Sequence, residues 1–134
     1  MGAALSGFSE AVELGLLARV TPRDVARGPS GLITRIARHL ASANGAHRVR
    51  PLVVQLVGTA LGTTAERLVD LAVATELIHS ASLFHDDVVD DGQVRRGVRS
   101  ANAHFGNAQA VLAGDWVLSR AFGCLQPYPA PFAV

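Results

Sequence analysis

The chain has a single cysteine, Cys124, so no disulfide can form within it, and a reducing compartment, the cytoplasm, is expected. An excess of one charge is missing too. Twelve Lys and Arg against 11 Asp and Glu leave a net charge of +1, which gives no general pull toward nucleic acid or an anionic membrane. The longest apolar stretch, Pro51 to Gly62, falls well short of the roughly 18 residues that a membrane span requires. No cationic segment precedes an apolar run at the N-terminus, where Glu10 and Glu13 interrupt the apolar character, so no signal peptide is expected. Repeats and low-complexity tracts are absent, and strands are hard to find.

What the chain does have is helical periodicity. With 49% hydrophobic residues in 134, it can bury one modest core in a single domain. Val12, Leu16 and Val20 fall on one face of a helix over residues 9–20. Thr21-Pro22-Arg23-Asp24 offers an N-cap, a proline at N1 and an acid at N3 for a short second helix. Residues 31–42 stripe Leu32, Ile33, Ile36, Ala37 and Leu40 against Arg35, Arg38 and His39, and Asn44-Gly45 ends the run. Pro51 opens an apolar helix through Leu52, Val53, Leu56, Val57 and Ala60. Thr63 and Glu66 form a capping box for a helix over 64–91, on the order of 40 Å at 1.5 Å per residue. A last helix spans Asn102 to Phe122, capped by Ser100, with Gly106 and Gly114 permitting close packing. The pattern predicts an all-α bundle of long, mostly antiparallel helices.

Charge concentrates at the end of the long helix. Asp86, Asp87, Asp90 and Asp91 fall within six residues, before Gly92, Arg95 and Arg96. Asp86 and Asp90 stand one turn apart, as do Asp87 and Asp91, so their carboxylates repel. Acids at a helix C-terminus also oppose the macrodipole, at roughly 0.3–1 kcal/mol each when exposed. A cation offsets both costs, and Mg²⁺ is suited by one or two protein carboxylates completed with water and phosphate oxygens. The plain alternative is a solvated acidic helix end. An EF-hand fails, because Val89 and Val98 stand where ligands are needed. His79, Ser82, Asp86 and Asp90 follow at offsets of three, four and four, so one helix face carries an imidazole, a small residue and two carboxylates.

The stretch AVATELIHSASLFHDDVVDDGQVRRGVRSANAHFGNAQAVLAGDWVLSRAF resembles the first aspartate-rich region of the trans-isoprenyl diphosphate synthases, the polyprenyl synthetases. The upstream His, HDDVVD, RRG and GNAQAVLAGD make a long, ordered signal where a lone DDxxD is weak. A second match lies in Gly45-Ala46-His47-Arg48-Val49-Arg50-Pro51, which alone reads as an ordinary basic turn. The family holds Gly-Gly-Lys-Arg-x-Arg-Pro there. Ala46 and His47 replace its second glycine and its lysine, while Gly45, Arg48, Arg50 and Pro51 match.

The resemblance implies a prenyltransferase that joins an allylic diphosphate to isopentenyl diphosphate, head to tail, with Mg²⁺. It implies Asp86 and Asp90 as the principal metal ligands, with Asp87 and Asp91 as supporting acids. Arg95 would clamp the allylic diphosphate. His47, Arg48, Arg50, His79 and Arg96 would hold isopentenyl diphosphate. His85 and His104 have no such match and read as structural. Ala81 and Ser82, one turn deeper than Asp86, are small and leave a product tunnel open toward Ile78, which implies a longer-chain polyprenyl product.

The resemblance covers residues 1–122 as the N-terminal part of a polyprenyl synthetase domain. The family's second aspartate-rich motif is missing, and GCLQPYPAPFAV (123–134) reads as a proline-rich, non-family tail that cannot continue the helix. The chain is therefore expected to be truncated, a homodimer when complete, and of doubtful activity alone. A non-catalytic partner of a full-length synthase is a second reading. A terpene cyclase is disfavoured by GAHRVRP and RRG, because it has no second diphosphate to bind.

Histidine, which stands at 47, has a reference pKa near 6.5, whereas the family's lysine stays charged at neutral pH. His47→Lys, placed in a complete enzyme, is expected to lower the Michaelis constant for isopentenyl diphosphate, and an unchanged constant counts against the assignment.

Overall fold

A computed structural model describes residues 2–21, 29–41, 48–95 and 97–128. Its helices are α1 (Gly2–Val20), α2 (Pro29–Ala41), α3 (Val49–Ala60), α4 (Ala65–Val89), α5 (Ala101–Phe105) and α6 (Asn107–Leu125). A two-stranded antiparallel hairpin, β1 (Val94–Arg95) with β2 (Val98–Arg99), joins α4 to α5, pairing Val94 with Arg99 and Arg95 with Val98. The expected all-α bundle therefore stands, with one small ribbon added. The short helix expected from Pro22 falls outside the described residues.

The bundle is organised around α4. Leu68, Ala72, Val73, Ala74, Leu77, Ala81 and Phe84 are all buried along it, and α6 lies against it through Ala110, Ala113, Val117, Ala121 and Cys124. Alanines on both helices let the axes approach closely, as ridges of small side chains do. Gly114 tightens the seam further, since a Cβ there would run into the His85 ring. On the other side α1 supplies Phe8, Val12, Leu16 and Val20, a spacing of four that keeps each one above the last. Ile36 and Ala37 of α2 complete the core.

Several features depart from the sequence reading. α3 does not bury Leu52, Val53, Leu56 and Val57, which are 42–54% exposed; it turns Pro51 and Gln55 inward instead. Apolar residues on both sides of this helix make its periodicity ambiguous, and α4 receives the narrower face. The cap of α4 is Thr64, not Thr63. The Glu66 carboxylate is held below its usual pKa by its own backbone N–H and by the Thr64 hydroxyl.

The end of α4 differs too. Asp90 is the C-cap, Asp91 takes the left-handed position at φ 49, and Gly92 N–H donates to Asp87 O at 2.8 Å. This is a Schellman closure with aspartate, not Gly92, at C′; the short acid is one of the few side chains that tolerate left-handed backbone.

The last helix is two. Ser100 caps α5, its Oγ accepting from Ala103 N–H, and the chain then breaks at Gly106, whose φ is 96. Gly106 is thus a hinge between helices and not a packing glycine within one. Beyond Phe122, α6 continues to Leu125 despite the proline at 127. Tyr128 then donates its hydroxyl to Arg67 O at 2.6 Å and accepts from Leu71 N–H at 3.2 Å, which ties this end of the chain to α4.

Alanine in a helix interior is more stable than glycine by about 1 kcal/mol, but at positive φ it is strained by about 1–2 kcal/mol. Gly106→Ala is therefore expected to destabilise the fold by about 1–2 kcal/mol in urea denaturation. A gain in stability would mean that α5 and α6 form one helix.

Candidate functional site

At the C-terminal end of α4 the four aspartates part company. Asp86, Asp90 and Asp91 are exposed, whereas Asp87 points inward with 1% of its side chain exposed. The helix places them so: Asp86 and Asp90 share one face, and Asp87, displaced by about 100° from Asp86, meets the hairpin.

Arg95 of β1 lies on Asp87. Its Nε donates to Oδ1 at 3.0 Å and its Nη2 donates to the same oxygen, leaving Asp87 Oδ2 buried without a partner among the described residues. The hydrogen bond to Asp87 raises the Arg95 pKa, against a smaller lowering by burial, and the fields of Asp86 and Asp90 add to the rise. Two polar side chains fix the hairpin that carries Arg95. Asn102 Nδ2 donates to Asp87 O at 2.9 Å, and Ser100 Oγ donates to Gly92 O at 2.6 Å. Asn102 is itself 5% exposed, so its contact is a buried pin.

Among the described residues neither Asp86 nor Asp90 has an ion-pair or hydrogen-bond partner for its carboxylate, and no three His, Cys, Asp or Glu side chains gather as a metal cluster. What remains is two hard oxygen donors one turn apart at the negative end of a helix. That set fits Mg²⁺ in its usual mode of one or two protein carboxylates, with the rest of its shell supplied by water and ligand oxygens.

The other expected residues are distributed along the same helix and the start of α3. His79 is half-buried one turn N-terminal to Ser82, whose Oγ donates to His79 O at 2.8 Å. Ser82 is exposed on the face of Asp86. Ala81 is turned away, 2% exposed within the core. Ile78, one turn below Ser82, is 42% exposed. His85 faces α6, with Nε2 3.3 Å from Val111 O and 3.4 Å from Asp115 Oδ1, and His104 stacks edge-on against Phe105 at 4.3 Å.

Arg50 is exposed in the first turn of α3. Arg48 is turned in, hydrogen-bonded to Glu13 of α1 and Glu76 of α4. His47 and Arg96 lie outside the described residues. Glu13, Glu76, Ser100 and Asn102 were not reached from sequence as site residues. Glu76 left a signal: it is the one charge in the run from Leu71 to Ile78, where α4 is otherwise apolar or neutral.

Removing one member of a buried pair leaves the other uncompensated. Because Arg95 is 33% exposed, Asp87→Ala is expected to cost about 1–3 kcal/mol, not the larger figure of a fully buried pair. Asp86→Ala and Asp90→Ala should stay within about 0.5 kcal/mol of the parent, since they remove exposed like charges from a helix C-terminus. Equal losses in all three, read by urea denaturation, would overturn this division.

Comparison with known proteins identifies a family. The family model for polyprenyl synthetase matches residues 30–134. An octaprenyl diphosphate synthase of Escherichia coli (strain K12) is 44% identical over 91 residues, covering 68% of this chain and 28% of that protein. An all-trans-nonaprenyl-diphosphate synthase (geranyl-diphosphate specific) of Rhodobacter capsulatus is 41% identical over 95 residues, 70% of this chain and 29% of its own. Among solved structures, a geranylgeranyl pyrophosphate synthetase from the archaeon Geoglobus acetivorans superposes with a TM-score of 0.80 at 33% identity, over 94% of this chain and 39% of that one. A polyprenyl synthase from Caulobacter crescentus CB15, complexed with calcium and isoprenyl diphosphate, gives 0.73 at 34% identity, over 94% and 35%. The chain thus spans about 28% of the length of the first curated relatives it matches. By the family match, the identity and the shared helical architecture, it belongs to the polyprenyl synthetase family.

Proposed function

We propose that this chain carries the metal and allylic half of a prenyltransferase, which elongates an allylic diphosphate with isopentenyl diphosphate to a longer-chain polyprenyl diphosphate. The observation that supports it most is the separation of the aspartates: two exposed carboxylates, Asp86 and Asp90, have no partner among the described residues, while Asp87 is spent on Arg95. An ordinary acidic helix end has no reason to bury one acid and hold an arginine beside the others.

Asp86 and Asp90 would hold Mg²⁺, with Asp91 adding negative field and Asp87 acting through Arg95. Bound Mg²⁺ supplies Lewis-acid charge to the oxygens of the departing pyrophosphate. Arg95 is kept fully charged by Asp87 and is pinned by the hairpin, so it clamps the allylic diphosphate without reorganising as charge develops. The allylic C1–O bond breaks with its electron pair going to pyrophosphate. The double bond of isopentenyl diphosphate then attacks C1, and the proton lost from the adduct passes to the pyrophosphate.

His47, Arg50, His79 and Arg96 would hold isopentenyl diphosphate, in accord with the exposure of Arg50 and the place of His79 one turn from Ser82 on the metal face. The hydrocarbon would run back along α4 past Ser82 toward Ile78. Ser82 presents a small side chain there, while Ala81 belongs to the core. Exposed apolar side chains on α6, Leu112 and Phe122, support a homodimer. No described helix is long and apolar enough to cross a membrane, in keeping with a cytoplasmic enzyme. A second reading, carried over from the sequence, is a non-catalytic partner of a full-length synthase.

The test is Mg²⁺-dependent incorporation of labelled isopentenyl diphosphate into farnesyl diphosphate, with product length read by chromatography. Long polyprenyl products from the purified chain, lost in Asp86→Ala and Asp90→Ala, support the first reading. Altered products only when the chain is mixed with a full-length synthase support the second. No effect in either assay overturns both.

A further inference from the structure

We propose that Arg48 is a positioning residue that locks the basic turn to α1 and α4 and does not itself touch a diphosphate. The proposal rests on the prenyltransferase reading above and departs from the sequence match, which places Arg48 among the diphosphate ligands.

The geometry begins at the backbone. Arg48 is the N-cap of α3 at φ 46 and ψ 36, left-handed for a residue with a long side chain. Such a conformation persists only where the surroundings over-determine it. Here the surroundings are two carboxylates. Nε and Nη2 of Arg48 form a fork on Glu13, the second of these at 3.1 Å, and Nη1 donates to Glu76 Oε1 at 2.9 Å. All three guanidinium nitrogens are therefore engaged. The Arg48 side chain is 14% exposed and that of Glu76 is 2% exposed.

The contact is buried enough to matter. Desolvation is the largest influence and works against the charge on Arg48, yet its hydrogen bonds to Glu13 and Glu76, together with the charges of both carboxylates, raise its pKa on balance. Glu76 Oε2 is buried with no partner among the described residues, so this carboxylate depends on Arg48 for compensation. A guanidinium drawn out toward a diphosphate would strand Glu76 in the core.

Position gives the latch its purpose. Arg48 follows His47 and precedes Arg50, the exposed cation of α3. Glu76 precedes His79 by one helical turn. One ion pair thereby couples the turn that presents Arg50 to the turn of α4 that presents His79, and both are assigned to the same anion. Only arginine spans two carboxylates from a rigid fork; lysine is a point charge.

The experiment is calorimetric titration of the full chain with inorganic pyrophosphate, on wild type, Glu76→Gln, Glu13→Gln and Arg48→Lys, with amide hydrogen exchange on each. A ligand role for Arg48 predicts tighter pyrophosphate in Glu76→Gln, because a competing negative charge is gone. A positioning role predicts the opposite: affinity about tenfold weaker in Glu76→Gln and Arg48→Lys. It also predicts exchange about tenfold faster in the first turn of α3, with α6 unchanged. Glu13→Gln, altering the more exposed partner, is expected to show the same signs at about threefold, and it decides the matter if Glu76→Gln does not fold. Unchanged or tighter pyrophosphate binding overturns the proposal, as does unchanged exchange. If wild type binds no pyrophosphate, the diphosphate reading fails, and the exchange of the first turn alone decides whether Arg48 is the lock.

Discussion

Everything else in this molecule depends on α4 being buried on several sides at once while its last turn carries acids into solvent. The helix contacts α1, α3 and α6, and its buried residues, from Leu68 to Asp87, do not follow a single stripe. Close approach of α6 demands small side chains, and Ala72, Ala74, Ala81, Ala110, Ala113 and Gly114 supply them. Phe84 is the large exception. It is fully buried just before the first aspartate, where its burial contributes about 2–3 kcal/mol by area. A rigid, well-packed rod thus ends within two residues of the charges it presents, which is what a metal site needs if its ligands are not to wander.

The two buried acids of α4 show how charge is carried into such a rod. Glu76 and Asp87 are each nearly inaccessible, and each is met by an arginine from another element, Arg48 and Arg95. In both, one carboxylate oxygen is paired and the other has no partner among the described residues. Pairs of this kind add little net stability compared with apolar packing, and their value is in fixing geometry. The fixed geometry here is that of the neighbours: Asp86 and Asp90 flank the Asp87–Arg95 pair, and His79 lies one turn from the Glu76–Arg48 pair.

Much of this was legible in the residues themselves. The 3.6-residue period gave α1, α2 and α4, and the four clustered aspartates with Arg95 drew attention to the right end of the right helix. Three kinds of feature were not legible. The break at Gly106 needs a positive φ, and sequence shows glycine there without showing its backbone angle. The inward face of α3 could not be chosen, because apolar residues flank it on both sides. The division of labour among the aspartates required the hairpin, since nothing in DDVVDD distinguishes Asp87 from Asp86 until Arg95 is seen to reach only one of them. Glu76 could have been suspected as a lone acid in a buried run, but its partner lies 28 residues away.

That separation distinguishes the two halves of the site. Arg95 is 8 residues from Asp87, and Asn102 is 15 from it, so the acidic end is closed by short loops and can form with α4 itself. Arg48 must be brought to Glu13 across 35 residues and to Glu76 across 28, after α1 and α3 have both docked on α4. The acidic half is therefore a local structure and the basic half a tertiary one. Any change that loosens α1 or α3 would disturb the turn bearing Arg50 before it disturbed Asp86 and Asp90, so the two ends of the site differ in how far they depend on the rest of the bundle.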